Sequence, residues 1–314
     1  HSISKRLPVQ GLPHIVILRY NNYPMKDSMK FIDLHTHSTA SDGTDTPAEL
    51  VGKAHAAGLA AVAITDHDTL SGLAEGQQTG RELGIEVVRG CEISTGTELG
   101  ELHILGLWLP ENPQPLLEKL RWLREMRAER NVGIVKKLQD LGYDISMEEV
   151  LAAAKGESVG RPHIAAVMLR KGFAKDPRQV FKEFLGSRGK AYLPKTVLAP
   201  DESVRLLASM GATVCLAHPL LWKAPAGWLD SMVARLKEYG LSAIEAYHSE
   251  HSEADVRTCL AMAKRFDLGV SGGSDYHGSN KPTIRLGQGY GGLRVSSAVL
   301  EDLKDRRDAA GLHI

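Results

Sequence analysis

Twice along the 314-residue chain, from residue 30 to about 110 and again from about 199 to 271, short apolar runs alternate with amphipathic stretches of helical period. This alternation is the tightest constraint on the fold, because strands joined through helices lie parallel in one sheet, and the helices must cover that sheet's faces. Phe31 to Leu34 reads as a buried strand, Pro47 to Ala57 as a helix, Ala61 to Thr65 as a strand and Leu73 to Leu83 as a helix. Thr46 is placed to cap the first helix, Pro47 suits its first turn, Glu49 completes the reciprocal bond, and Gly84 closes the second helix. Short strands are expected at Glu86 to Arg89, Glu92 to Thr95 and Leu102 to Leu107. In the later stretch the expected strands are Thr213 to Ala217, Ala243 to Ala246 and Leu268 to Ser271. The helices between and after them are Asp201 to Met210, Leu229 to Tyr239, Glu253 to Phe266 and Ser296 to Ala310. Periodicity alone leaves open whether the sheet is doubly wound or closed into a barrel.

Between about 111 and 198 the strand signals vanish, and helices are expected near 114 to 141, 146 to 155, 162 to 171 and 177 to 185. That region reads as an inserted helical domain within a body formed by 30–110 and 199–314. Residues 1–29 show no sustained period, with Met25 and Met29 just before the first strand, and are expected to be an extension that is non-native or poorly ordered. The 38 basic and 38 acidic side chains balance, so any contact with a polyanion must come from a local site. Cys91, Cys215 and Cys259 are too few and too scattered for a disulfide framework or a CxxC metal motif, which points to a reducing, cytoplasmic setting. No apolar run approaches the length of a membrane span.

Where predicted strands run into loops, imidazoles and carboxylates recur. His35 and His37 flank one residue at the end of the first strand and can grip one cation, or can be a pair of hydrogen-bonded strand histidines. Asp42 follows in a Ser-Asp-Gly turn, where a carboxylate that bonds its own backbone is the simplest account. His67 lies in Thr65-Asp66-His67-Asp68 after an apolar strand, a costly place for charge unless it meets solvent or a metal. Glu92 can be an exposed strand position or a ligand bridging two ions. His103 and His218, taken singly, suit core histidines, and Ser274-Asp275-Tyr276-His277 repeats the Asp and His pairing after a Gly-Gly turn. Together they are too many to be unrelated structural accidents.

Asp33-Leu34-His35-Thr36-His37 with Ser41-Asp42-Gly43, Thr65-Asp66-His67-Asp68, Glu92, His103, Ala217-His218-Pro219 and Gly273-Ser274-Asp275-Tyr276-His277 resemble, in order, the motifs of the PHP (polymerase and histidinol phosphatase) superfamily. The likeness spans about residues 30 to 280, and its stand-alone members include nucleotide 3′,5′-bisphosphate phosphatases and 5′-to-3′ exoribonucleases. It implies a distorted (β/α)7 barrel and three divalent metal ions. By position His35, His37, Glu92 and Asp275 would hold one ion, Glu92, His103 and His218 a second, and Asp42, His67 and His277 the third, with Glu92 as the bridge. Mixed imidazole and carboxylate ligands suit Mn²⁺, Fe²⁺ or Zn²⁺, and Mn²⁺ is the expectation taken first. The implied activity is metal-dependent hydrolysis of a phosphate ester, with Asp66, His67, Glu92 and His277 as the catalytic candidates and Asp66 equally suited to orienting a ligand.

In the insert, Gly160-Arg161-Pro162-His163 can present Arg161 and His163 to a substrate phosphate, as can Lys190, Tyr192 and Lys195 beside it, and His248 from the sheet. The bland account is a solvated helix start, a capping histidine and loop cations. The expected partner is a small phosphorylated substrate, a nucleotide or short RNA, with no membrane and no obligatory protein partner. Rival readings are a histidinol-phosphate phosphatase, an amidohydrolase with a bridging carbamylated lysine, and a non-catalytic metal-binding module. The charges from Glu118 to Arg130 read as a solvated helix face over Leu117, Leu120, Leu123 and Met126, and Gly287 to Gly292 lacks the context of a dinucleotide fingerprint.

Overall fold

The computed structural model describes residues 30–154, 159–221 and 224–313. The expectation for residues 1–29 lies outside them. Seven strands follow one another around a sheet: β1 (Phe31–Asp33), β2 (Leu59–Ile64), β3 (Glu86–Thr97), β4 (Gly100–Leu107), β5 (Thr213–Leu216), β6 (Ala243–His248) and β7 (Gly269–Gly273), while the short β8 (Val295–Ser296) pairs antiparallel with β1. Helices α1 (Pro47–Ala56), α2 (Leu73–Leu83), α7 (Pro200–Ser209), α8 (Trp228–Glu238), α9 (Glu253–Phe266) and α10 (Ser297–Ala309) surround the sheet. Thr46 and Glu49 form the reciprocal cap on α1, and Gly84 ends α2 at φ 72°.

The edges meet. Leu34 N–H donates to Gly272 O at 3.1 Å and Asp275 N–H to His35 O at 2.9 Å, so β7 closes on β1 and the alternation resolves as a distorted barrel. Closure is possible because a Cβ on Gly273 would lie 2.4 Å from the His35 backbone nitrogen. Besides the short β8, β4 departs from the parallel pattern: it is antiparallel to both β3 and β5. The two short strands expected around residues 86–95 are a single strand, whose first half pairs with β2 and whose second half pairs with β4.

Between β4 and β5 lie α3 (Gln114–Asp140), α4 (Met147–Ala153), α5 (Arg161–Arg170), α6 (Pro177–Val180) and a π-helical turn, Phe181–Leu185. Ile134, Val135, Leu138, Val150, Ile164, Val167 and Phe184 form a hydrophobic cluster of their own here. The first half of α3 belongs elsewhere, since Leu116, Leu120 and Leu123 pack into the barrel core. The 27-residue α3 is therefore a strut rooted in both clusters. Among the described residues no helix is long and apolar enough to cross a membrane.

The close approach at the seam yields a test. Gly273→Ala is expected to push β7 from β1 and lower unfolding stability by about 1–3 kcal/mol, the usual cost of overpacking. An unchanged urea midpoint would show that the seam has slack.

Candidate metal centre and its cationic neighbour

Parallel strands deliver their carboxyl ends to one face of the barrel, and the chemistry gathers there. His35 and His37 follow β1, His67 follows β2, His218 follows β5, and Asp275 and His277 follow β7. Glu92 lies within β3. His103 comes from near the start of β4, which reaches the same face because that strand runs the other way and pairs His103 with Ser94.

Glu92 is 1% exposed and stands at the centre. Its Oε2 lies 3.2 Å from His35 Nε2, 3.1 Å from His37 Nε2 and 3.2 Å from His67 Nδ1. Its Oε1 lies 2.9 Å from His103 Nδ1 and 3.1 Å from His218 Nε2. Asp275 Oδ1 is 3.6 Å from His35 Nε2 and 3.3 Å from His37 Nε2, and Asp42 Oδ1 is 3.3 Å from His277 Nε2. Three groups have ligand atoms close enough to share an ion: His35, His37, Glu92 and Asp275; His37, Asp42, His67 and His277; and His67, Glu92 and His103. His35 Nε2, both ring nitrogens of His37, His67 Nδ1 and Glu92 Oε2 are buried without a hydrogen bond of acceptable geometry. Lone pairs converging at such distances without hydrogen-bond alignment fit divalent cations, which require lone pairs rather than donors.

Electrostatics agree. Burial opposes ionisation of Glu92, but the neighbouring imidazoles hold its carboxyl well below the usual range. Burial likewise works against charge on His37 and His103, yet the neighbouring carboxylates raise both to about 9. His67 is pushed down to about 3, chiefly by burial. Backbone geometry aims some of these groups: Asp275 at φ 55° and His218 at φ 27° adopt the left-handed region that side chains disfavour.

Asp66 stands apart from the imidazoles. It accepts Ser38 N–H at 2.8 Å, Ser38 Oγ–H at 2.7 Å and Ser41 Oγ–H at 2.6 Å, which holds the loop carrying Asp42. His248 joins the buried cluster, its Nε2 3.6 Å from Asp275 Oδ2.

Beside the cluster lies a group of cationic side chains, called the cationic pocket below. Arg161 Nη2 is 3.7 Å from Glu101 Oε1 and Lys195 Nζ 3.5 Å from Glu101 Oε2, while Arg127 ion-pairs with the buried Asp68. Arg130, 9% exposed, bonds Leu193 O. The reading of 118–130 as a solvated face is therefore corrected at its end, since α3 turns Arg127 and Arg130 inward toward the barrel mouth. Burial, with Arg161 next, lowers Arg130 to about 10, and burial lowers Lys195 as well. His163 Nδ1 accepts Gly160 N–H at 3.0 Å and so caps α5. Lys190 is exposed, with its backbone N–H on Glu183 O, and Tyr192 offers its carbonyl to Lys137.

Residues 33–175 match the PHP domain family. A 5′-3′ exoribonuclease of Haemophilus influenzae is 33% identical over 248 residues, which cover 79% of this chain and 90% of that protein. The chain belongs to the PHP family. A second relative of this PHP protein, the phosphoribosyl 1,2-cyclic phosphate 1,2-diphosphodiesterase of Eggerthella lenta, is 32% identical over 252 residues, covering 78% of this chain and 94% of the relative. A solved structure from Bifidobacterium adolescentis, provisionally described as a metal-dependent phosphoesterase, superposes with a TM-score of 0.78 at 30% identity, covering 87% of this chain and 96% of that one. This PHP protein is a metal-dependent phosphoesterase with a distorted barrel fold.

Several residues of the PHP site escaped the motif reading. Glu245, fully buried in β6, accepts from His35 Nδ1 at 3.0 Å and from the His218 backbone N–H at 2.8 Å, steadying the ring of His35 and the backbone of His218. A carboxylate within an apolar strand was the available signal. Lys281 ion-pairs with Asp275, and nothing local marks it. Glu101 faces His103, Arg161 and Lys195; burial opposes its ionisation, but those neighbours hold its carboxyl well below the usual range.

Metal ligands must be deprotonated, whereas His37 and His103 stay protonated below about 9 in the metal-free protein. Titrating Mn²⁺ into the chelator-treated protein at pH 7.5 is therefore expected to release at least about one proton, a release that fades as pH rises past about 9. Calorimetry in buffers of different ionisation enthalpy measures it, and a heat at pH 7.5 that does not change with the buffer would contradict the assignment of these two imidazoles as ligands.

Proposed function

We propose that the enzyme hydrolyses a phosphate ester on a ribose that carries a second phosphoryl group, the reacting one at the imidazole and carboxylate cluster and the other in the cationic pocket. The preferred substrates are nucleoside 3′,5′-bisphosphates and 5′-phosphorylated RNA ends. In both, the bond to the 3′ oxygen breaks and the released nucleotide keeps its 5′-phosphate. The observation that carries this reading is the gathering of cations beside the carboxylate and imidazole cluster: Arg161 and Lys195 both reach the single carboxylate of Glu101, and Arg130 lies close enough to Arg161 to be disfavoured by its charge, an arrangement that suits a phosphate dianion.

His35, His37, Asp42, His67, Glu92, His103, His218, Asp275 and His277 would hold the metals, with Mn²⁺ favoured by the mixed donors and Fe²⁺ or Zn²⁺ next. Bound there, such ions supply Lewis-acid stabilisation of the phosphoryl group and acidification of water. Glu245 orients His35 and His218, Asp66 holds the Ser38–Asp42 loop, and the helical region 111–198 contributes Arg127, Arg130, Arg161 and Lys195 to grip the distal phosphate. Lys281, beside Asp275, adds positive charge next to the reacting group. The carboxylate of Glu92 between two sets of histidines favours phosphate-ester chemistry over C–N cleavage at a bridging lysine. A second reading is a phosphoribosyl cyclic phosphate, favoured by the Eggerthella lenta relative, which also acts on a ribose with two phosphoryl groups.

With Mn²⁺ present, a nucleoside 3′,5′-bisphosphate is expected to exceed the matching 3′-monophosphate in kcat/KM by on the order of a hundredfold. Arg161→Ala or Lys195→Ala should erase most of that gap while affecting the 3′-monophosphate little. Equal rates on the two substrates in the unmodified enzyme would sink the two-phosphate reading.

A further inference from the structure

Glu101 stands where the two halves of the site meet. It precedes His103 by two positions in β4, and residues two apart in a strand share a face. Its carboxylate reaches three groups at similar range: His103 Nε2 at 3.7 Å, Lys195 Nζ at 3.5 Å and Arg161 Nη2 at 3.7 Å. The placement is built rather than incidental. Gly96, opposite Glu101 in the hairpin, donates its N–H to Leu198 O, which lays the segment carrying Lys195 against β3, the partner strand of β4. Leu185 O, at the end of the π-helical turn, accepts from Arg161 Nη1 at 3.2 Å and keeps that guanidinium at the pocket. Side chains of Lys195 and Arg161 are 14% and 25% exposed, and Glu101 is 38% exposed on the open side. A phosphate approaching these cations from solvent thus meets a fixed negative charge already on them.

We propose that Glu101 is a specificity-determining residue that competes with the substrate's second phosphate for Arg161 and Lys195. In the free protein it serves as their counterion. A dianion displaces it from both, whereas a singly charged or neutral group leaves it in place. The same carboxylate weakens the grip on the nucleoside 5′-monophosphate left after hydrolysis, since the retained phosphate must keep competing with it. This rests on the assignment of the cationic pocket to that phosphate.

The test is calorimetric binding of a nucleoside 5′-monophosphate to the Mn²⁺-loaded full chain, with bound metal measured in each variant. Glu101→Gln and Glu101→Ala each remove one unit charge a few ångströms from the bound phosphate and are expected to tighten binding on the order of tenfold or more. Glu101→Asp, which keeps the charge, should stay near the original affinity. Unchanged or weaker binding in both neutral variants overturns the proposal, as does loss of bound metal, which would make Glu101 a support for His103 instead. Arg161→Ala and Lys195→Ala separate the two ideas. If they weaken binding while the neutral variants fail to tighten it, only the role of Glu101 falls; if they leave binding unchanged, the pocket assignment falls with it.

Discussion

One fully buried carboxylate, Glu92, has five imidazole nitrogens within 3.2 Å, contributed by His35, His37, His67, His103 and His218. A charge in that position is tolerable only if it is compensated from every side, because the interior offers no water to do so. The rest of the architecture serves this requirement. The barrel must close, since His35 and Asp275 come from its first and seventh strands, and the glycines at the seam allow their backbones to meet. β4 must run backward to bring His103 to the face where the parallel strands end.

The carboxylates divide into two kinds that look alike in sequence. Asp33 precedes the HxH pair and accepts from Ser274 N–H, Ser274 Oγ–H and Gly287 N–H, which stitches the first strand end to the loops after the seventh. Burial raises its pKa, with the Ser274 hydrogen bonds opposing. Asp66 holds the Ser38–Asp42 loop, and Asp45 takes Lys53 and the Tyr276 hydroxyl. These groups engage hydroxyl, backbone N–H or lysine donors, whereas Glu92, Asp42 and Asp275 face imidazoles. Each motif therefore pairs a residue that shapes the mouth with one that supplies the centre, so that buried donors and buried acceptors are satisfied separately.

The helical region adds what the barrel lacks. Because α3 is anchored in both hydrophobic clusters, its arginines are held at a set distance from the metal-ligand candidates, and the π-helical turn and the 195–198 segment bring Arg161 and Lys195 to the same place. Rigid placement matters because the discrimination proposed for the site depends on the separation between two phosphates.

The alternating pattern and the strand-end histidines were legible in the chain itself. Local hydrophobic period and capping chemistry depend on neighbours within a few positions, so α1, α2, α9 and the strand cores were readable to within a residue or two. Resemblance to the PHP motifs carried the barrel and the ligand candidates further than periodicity could. Tertiary structure alone decided the direction of β4, the inward turn of Arg127 and Arg130, and the neighbours of Glu245, Lys281 and Glu101. Each of these depends on what lies across the barrel mouth, scores of residues away in sequence. A helix face bearing arginines looks the same whether water or a buried aspartate waits opposite it.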